Sequence, residues 1–285
     1  MIDTQKKEFI NIEEVIRNKN PKLLKLLPRF ILRYIKRIIH QDHINDFIQR
    51  HGEKTSFAFV DQIINEFGVK VTFEGLENIP TTGGAIIAAN HPIGALDAMA
   101  LLHVIRKKRL DQKFIVNDVL LNLKNLNDLF IGVNKHGKNS GQALDLIDSY
   151  YASDSLVLIF PAGLVSRKQK GGIIKDLAWK KSFISKAKRF NKSIIPVHIS
   201  GSNSNFFYNL ALWRQRVGIK ANIEMFYLID EMYHQKGKGI HIKIGKPIDP
   251  SIFKSEFTDI EWAEKVKEFI YEMSNGNSSA FNVTD

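Results

Sequence analysis

The feature that most constrains this chain is an abrupt break. The run Gly84 to Ala89 is wholly apolar or small, and Asn90-His91-Pro92-Ile93-Gly94 follows it at once. Such a run reads as a short buried strand, and the proline and glycine behind it stop the strand from continuing. A chain with this break needs a sheet to bury the strand and a tight turn to leave it. His91 falls in that turn, and Asp97 follows where a helix is expected to start, near Ala95.

The two side chains cannot pair on one straight helix, because six positions along it would place them about 120° apart. Pro92 and Gly94 resist a continuous helix in any case. The expected arrangement is a strand, a turn carrying His91, and a helix with Asp97 in its first turn, so that the imidazole folds back over the helix start. An uncharged imidazole within reach of a carboxylate is what a general base for a hydroxyl nucleophile needs. The carboxylate fixes the tautomer and stabilises the imidazolium that forms.

With 285 residues, 44% of them hydrophobic, the chain can bury the core of one α/β domain with an appendage. It has no cysteine, which excludes a disulfide framework and a thiolate metal site and fits a reducing compartment. No run of about 18 apolar residues is present and Met1-Ile2-Asp3-Thr4-Gln5 lacks the character of a signal peptide, so the expectation is a protein that does not cross a membrane.

A net charge of +11 calls for an anionic partner. Eight Lys/Arg and no acid lie between Arg17 and Arg37. On a helical wheel Lys22, Lys25, Arg29, Arg33 and Lys36 fall on one side, and Leu23, Leu24, Leu27, Phe30, Ile31, Tyr34, Ile35 and Ile38 on the other. Pro28 starts a second helix or kinks the first. A basic amphipathic segment of this kind is expected to lie in an anionic membrane interface, on the cytoplasmic face, as a peripheral anchor. Nucleic acid is not an expected partner, since aromatic residues are few here and no nucleic-acid motif accompanies the charge.

Further helix is expected over residues 41 to 68. Beyond it, strands are expected at Val69 to Phe73, Gly84 to Ala89, Lys113 to Asn117, Leu129 to Asn134, Leu156 to Phe160, Ser193 to Ser200, Asn222 to Ile229 and Ile240 to Ile244. Helical patterns at Ala98 to Lys107, Gly141 to Tyr151, Leu177 to Phe190 and Asn205 to Arg216 alternate with several of them. This predicts an α/β fold with a mixed sheet flanked by helices, preceded by the basic amphipathic helical segment. The expected organisation is an N-terminal membrane-docking segment over residues 1–66, an α/β domain over 67–253, and a closing helix with a disordered Asn/Ser-rich tail over 254–285.

A second strand exit, Phe160-Pro161-Ala162-Gly163-Leu164-Val165-Ser166-Arg167, offers a turn with room for backbone approach at Gly163 and a guanidinium suited to an anion. Gly132 to Asn139 has the outline of a phosphate loop, but Asn139 stands where a hydroxyl would be needed, which argues against nucleotide triphosphate binding. His198, inside an apolar strand, reads as a core histidine. No cluster has metal-ligand spacing, so no metal and no cofactor is expected.

Asn90-His91-Pro92 with Asp97, Phe130-Ile131-Gly132-Val133-Asn134-Lys135, Phe160-Pro161-Ala162-Gly163 and Ile194-Ile195-Pro196-Val197 together resemble the four ordered blocks of the lysophospholipid/glycerolipid acyltransferase family. The order and rough spacing match over about residues 70 to 250. The resemblance implies that His91 deprotonates an acceptor hydroxyl, that Asp97 orients it, and that the hydroxyl attacks an acyl thioester of coenzyme A or acyl carrier protein. It further implies an acceptor pocket around Pro92, Ile93, Gly94, Asn134, Lys135, Phe160, Pro161, Ala162, Gly163, Ser166 and Arg167.

Three positions depart from the family pattern. Five residues separate His91 from Asp97 where the family has four, Lys135 replaces an arginine, and Ala162 replaces a glutamate. The third block looks more like the haemolysin-related subgroup, which resembles the O-acyltransferases of ornithine and glycine lipid synthesis. The expected activity is therefore O-acylation of a lyso-lipid, preferably a lyso-amino-acid lipid. The alternatives are lysophosphatidic acid as acceptor and a non-catalytic lipid-binding protein of the same fold. Nine Lys/Arg against the single acid Asp176 between Arg167 and Arg189 would suit an acidic carrier protein as donor.

Overall fold

The computed structural model describes residues 9–133, 141–276 and 280–282. Its contacts gather the chain into two compact units. One holds the described residues of Met1–Lys54 with Ser204–His234, and the other Thr55–Asn203 with Gln235–Asp285. This differs from the expected division at 66/67 and 253/254, and the reason is packing. Phe59, Val60, Ile64 and Phe67 of the helix Ser56–Phe67 are buried with the sheet-bearing unit, as is the closing helix.

The second unit is built on the strands β1 (Lys70–Glu74), β2 (Ala85–Ala89), β3 (Gln112–Asn117), β4 (Phe130–Val133), β5 (Leu156–Ile159), β6 (Arg167–Lys168), β7 (Ile174–Lys175), β8 (Ser193–Ile199) and β9 (Gly239–Ile244). Seven of them form one sheet in the order β1-β9-β8-β2-β5-β3-β4. β8, β2, β5, β3 and β4 run parallel, whereas β9 is antiparallel to β8 and parallel to β1. The fold is thus the expected mixed α/β sheet flanked by helices. β6 and β7 make a separate two-stranded ribbon that the sequence pattern did not show.

β2 is central, and all five of its residues are buried, as an uninterrupted apolar strand covered on both faces must be. Ile86 and Ala88 join Val157, Ile159 and Ile194 in a cluster with Trp179, Phe183, Trp262 and Phe269. On the chain's numbering of helices, α1 (Ile12–Lys19), α2 (Pro21–Leu26), α3 (Arg29–Ile38), α4 (Gln41–His51) and α9 (Asn205–Arg216) with α10 (Leu228–Tyr233) lie in the first unit. The second holds α5 (Ser56–Phe67), α6 (Ala95–Ile105), α7 (Gly141–Ala152), α8 (Ser182–Phe190) and α11 (Asp259–Ser274). α6 is buried nearly all round and packs on α5, while α11 packs on β8 and α8.

Three local expectations are corrected. Asn222 to Ile229 is not a strand but a 3₁₀ turn, Ile223–Tyr227, leading into α10. Its apolar alternation suited a strand, yet Glu224 is fully buried in an ion pair with Arg214 of α9 at 2.5 Å, which bends the segment back on that helix. The helix expected from Leu177 starts only at Ser182, because Trp179 is drawn into the core and its indole N–H donates to Asp176 at 2.9 Å. The tail after Ser274 is not wholly loose either. Phe281 is buried, with its ring edge-on to Phe269 at 5.3 Å.

His198 of β8 lies half-buried beside Tyr271, and burial, with the charges of His241 and Lys243, pushes its pKa down to about 4. The unfolded chain, with an ordinary value of 6.5, then binds the proton first. Stability is therefore full above about 6.5 and is lost as pH falls towards about 4. In urea titrations across that window the wild type should lose more stability than His198→Gln, and equal losses would contradict this account of the residue.

Candidate active site

The parallel strands β8, β2, β5, β3 and β4 present their carboxyl ends along one edge of the sheet, the edge where open α/β sheets place ligands. Two of the four sequence blocks lie at that edge, β2 running into Asn90-His91 and β5 into Phe160-Pro161, while β4 is the described part of the second block. Asn90 fixes the exit of β2. Its side-chain amide donates to the Ile199 carbonyl at 2.9 Å and accepts from the Ile199 N–H at 2.6 Å, tying the turn to the end of β8.

The turn brings His91 and Asp97 together in spite of the longer gap. His91 Nδ1 lies 2.9 Å from Asp97 Oδ2, and the same oxygen accepts the N–H groups of Ile93 and Gly94 at 3.0 Å each. Gly94, the N-cap of α6, has φ 113° and ψ −134°, a conformation only glycine adopts readily, and it absorbs the extra residue. Asp97 also caps its own helix, since its carboxylate sits in the first turn, where the helix dipole favours negative charge.

Asp97 is fully buried and its Oδ1 has no hydrogen-bond partner among the described residues. Burial pushes its carboxyl upward, opposed by the bonds from His91, Gly94 and Ile93. A carboxylate accepting at Nδ1 places the proton there and leaves the Nε2 lone pair as the basic site. The imidazole side chain is 17% exposed, enough for a substrate hydroxyl to approach. Its back rests on the Phe160 ring, stacked at 4.0 Å, and Phe160 meets Phe114 of β3 edge-on at 4.9 Å.

The backbone around His91 is held from a second side. The His91 carbonyl accepts from the Ser166 N–H at 2.7 Å, and the His91 N–H lies 3.3 Å from both oxygens of Asp176. Asp176 is fully buried and also accepts from the Ser166 hydroxyl at 2.6 Å and the Trp179 indole at 2.9 Å. Asp176 was not among the residues the sequence pointed to. Its one signal was that it is the lone acid in a basic stretch.

Of the remaining expected residues, Pro92, Ile93 and Gly94 are buried within the turn. Pro161 is buried and Gly163 exposed beside Lys180, whose Nζ lies 3.3 Å from where a Cβ on Gly163 would stand. Ala162 is buried in the apolar cluster. Arg167 is buried too, and its guanidinium donates to the carbonyls of Val165 at 2.8 Å and Ser166 at 3.3 Å. Asn134 and Lys135 lie outside the described residues. In the other unit Lys22, Lys25, Arg29 and Arg33 are exposed, while Lys36 pairs with Glu13 at 2.7 Å. Among the described residues no three His, Cys, Asp or Glu side chains gather as metal ligands would.

A cavity of about 310 Å³ is lined in part by Phe160. Ile115, Val133, Ile147 and Ile159 line it, with Lys180 and Lys186 at its polar end. Of the nine cations between Arg167 and Arg189, Lys175, Lys186, Lys188 and Arg189 are paired with Glu268, Asp148, Asp259 and Asp148, respectively.

Replacing Asp176 by asparagine keeps the volume but turns an amide N–H₂ towards donors that need an acceptor. A displacement of His91 of about 1 Å can cost about 10²-fold in rate. Asp176→Asn is accordingly expected to lower kcat for acyl transfer about 10²-fold and to reduce the melting temperature. A folded variant with wild-type kcat would show that His91 is held without it.

An acyltransferase family model matches residues 14–279. The chain is 39% identical over 266 residues to a lyso-glycine lipid O-acyltransferase of Bacteroides thetaiotaomicron, covering 93% of this chain and 97% of the relative. It is 40% identical over 266 residues to one of Phocaeicola vulgatus, covering 93% and 95%. A solved structure, the 1-acyl-sn-glycerophosphate acyltransferase PlsC of Thermotoga maritima, aligns with TM-score 0.47 and 19% identity over 88% of this chain and 95% of that one. With a family model spanning nearly its whole length and relatives at this identity, the chain belongs to the acyltransferase family and is an acyltransferase.

Proposed function

We propose that the protein transfers a fatty acyl group from an acyl thioester to the hydroxyl of a lyso-amino-acid lipid, lyso-glycine lipid foremost, at the cytoplasmic face of a membrane. The observation that carries the reading is the 2.9 Å contact of His91 Nδ1 with a fully buried Asp97, which leaves Nε2 free to take a hydroxyl proton. The activity for which the two relatives are named supplies the acceptor class.

In the proposed reaction Nε2 removes the hydroxyl proton as the oxygen attacks the thioester carbonyl. The tetrahedral intermediate collapses by breaking the C–S bond, and the departing thiolate takes the proton back from Nε2. An ester and a free thiol result, and His91 is regenerated neutral. Asp97 favours this cycle because its buried charge gains most from a cationic neighbour when the imidazolium forms. The donor's acyl chain is assigned to the apolar cavity that Phe160 helps to line, with the thioester group beside His91. Either coenzyme A or a carrier protein suits Lys180, which lines the cavity and has no ion pair among the described residues.

The acceptor preference follows from the second and third blocks. Lys135 is a compact ammonium that cannot grip a phosphate in bidentate fashion, and Ala162 supplies no carboxylate to orient Arg167 towards one. A single head-group carboxylate asks less of these cations than a phosphate dianion does. Among the described residues no helix is long and apolar enough to cross a membrane. Contact with an anionic lipid surface is assigned to the exposed Lys22, Lys25, Arg29 and Arg33 of α2 and α3, each worth about 1 kcal/mol near such a surface.

The purified protein, given one labelled acyl thioester and equal concentrations of competing acceptors, should acylate lyso-glycine and lyso-ornithine lipids at least about tenfold faster than lysophosphatidic acid. Equal rates would contradict the reading of Lys135 and Ala162.

A further inference from the structure

α9 is apolar on the wrong side for a helix that faces water. Its inner face, Phe207, Tyr208, Ala211 and Arg214, is buried. Its outer face carries Phe206 and Trp213, each 53% exposed, with Leu210 half-buried between them and Val217 just past the helix end. The steps of four, three and four place these residues in one stripe. A solvated helix face would be polar.

The stripe is held rigidly. Ser204 caps the helix, accepting from the Phe207 N–H at 3.2 Å, and its own N–H and hydroxyl donate to the buried Glu231 at 2.6 and 2.5 Å. The Arg214–Glu224 pair, with Asn222 on the same guanidinium, fixes the 3₁₀ turn that leaves Phe226 69% exposed. The stripe also joins the basic helices within the same unit. Phe206 meets Tyr227 edge-on at 4.9 Å, and the Tyr227 hydroxyl bonds that of Tyr34 on α3 at 2.8 Å, one turn on from Phe30, itself 62% exposed.

We propose that Phe206, Trp213, Val217 and Phe226 form a second lipid-inserting element, which acts with α2 and α3 as one surface buried in the headgroup layer of an anionic bilayer. Charge selects the occupant. Lys22, Lys25, Arg29, Arg33, Arg37, Arg216 and Lys220 stand exposed in the same unit as these aromatic rings. Among the described acids of the unit, Glu13, Asp46, Glu224 and Asp230 are engaged within it, with Lys36, Arg50, Arg214 and His40, which leaves the exposed Glu14, Asp42 and Glu53 against these seven cations. Exposed aromatic residues in a unit whose exposed charges are mostly cationic fit the boundary between anionic headgroups and acyl chains. The proposal rests on the membrane reading above but adds a contact from the middle of the chain, which carries no basic run.

Tryptophan reports on it directly. The chain has three, and Trp179 and Trp262 are 2% and 1% exposed, so Trp213 alone can meet lipid. On phosphatidylglycerol vesicles carrying brominated acyl chains, the full-length protein should show a blue-shifted, quenched Trp213 emission, read as the difference from Trp213→Phe. Phe206→Ser/Trp213→Ser/Phe226→Ser should weaken vesicle partitioning at least about tenfold while leaving acylation of a detergent-dispersed acceptor unchanged.

Partitioning that depends on Lys22, Lys25, Arg29 and Arg33, with Trp213 unquenched and the triple variant binding normally, would overturn this inference and leave the N-terminal anchor standing. No partitioning of any variant would overturn both. A blue shift that grows with protein concentration in the absence of vesicles would assign the stripe to contact between copies of the chain, and would also overturn it.

Discussion

The site depends on the burial of one carboxylate. Asp97 has no access to water, and its Oδ2 is reached by three donors, the His91 ring and the Ile93 and Gly94 amides. A buried carboxylate is tolerated only when it is well bonded. The turn, the helix start and the histidine rotamer are thereby specified together, because moving any one of them would strip a donor from a charge that has no water to replace it. The all-buried β2 supplies the fixed point from which the turn departs, and Asn90 locks that point to β8.

A second buried carboxylate completes the arrangement. Asp176 gathers the His91 amide, the Ser166 hydroxyl and the Trp179 indole, so the strand exits of β2 and β5 are held against a common acceptor. The two aspartates do different work. Asp97 touches the ring proposed to move the proton, whereas of His91 Asp176 touches only the backbone that carries the ring. Phe160 closes the third side by stacking on the imidazole, and it also lines the cavity. One aromatic ring thus belongs both to the packing of His91 and to the lining of the space assigned to the acyl chain.

Much of this was legible in the sequence because it lay in local contrasts. The apolar run before Pro92 and Gly94 marked β2 and its turn, and the spacing of His91 and Asp97 implied a fold-back rather than a helix. Asn205–Arg216 was read to the residue, since its pattern is regular and Ser204 caps it. What escaped was non-local. Asp176 is an unremarkable acid until the fold sets three donors around it. The segment 222–229 alternates as a strand would, and only the distant Arg214 makes a turn of it. The outer face of α9 was overlooked for a related reason, because Phe206, Leu210 and Trp213 are no less apolar than the inward Phe207, Tyr208 and Ala211, and only the packing tells the two sides apart.

The central claim is that a His91–Asp97 pair held in this way removes the acceptor's hydroxyl proton. The direct measurement is the single-turnover rate of acyl transfer for wild type, His91→Ala and Asp97→Asn, each with circular dichroism and melting temperature recorded. General-base catalysis contributes about 10² to 10⁴-fold, so both folded variants should be slowed by at least about 10²-fold, Asp97→Asn through the wrong tautomer. A folded His91→Ala protein that transfers acyl groups at the wild-type rate would contradict the account.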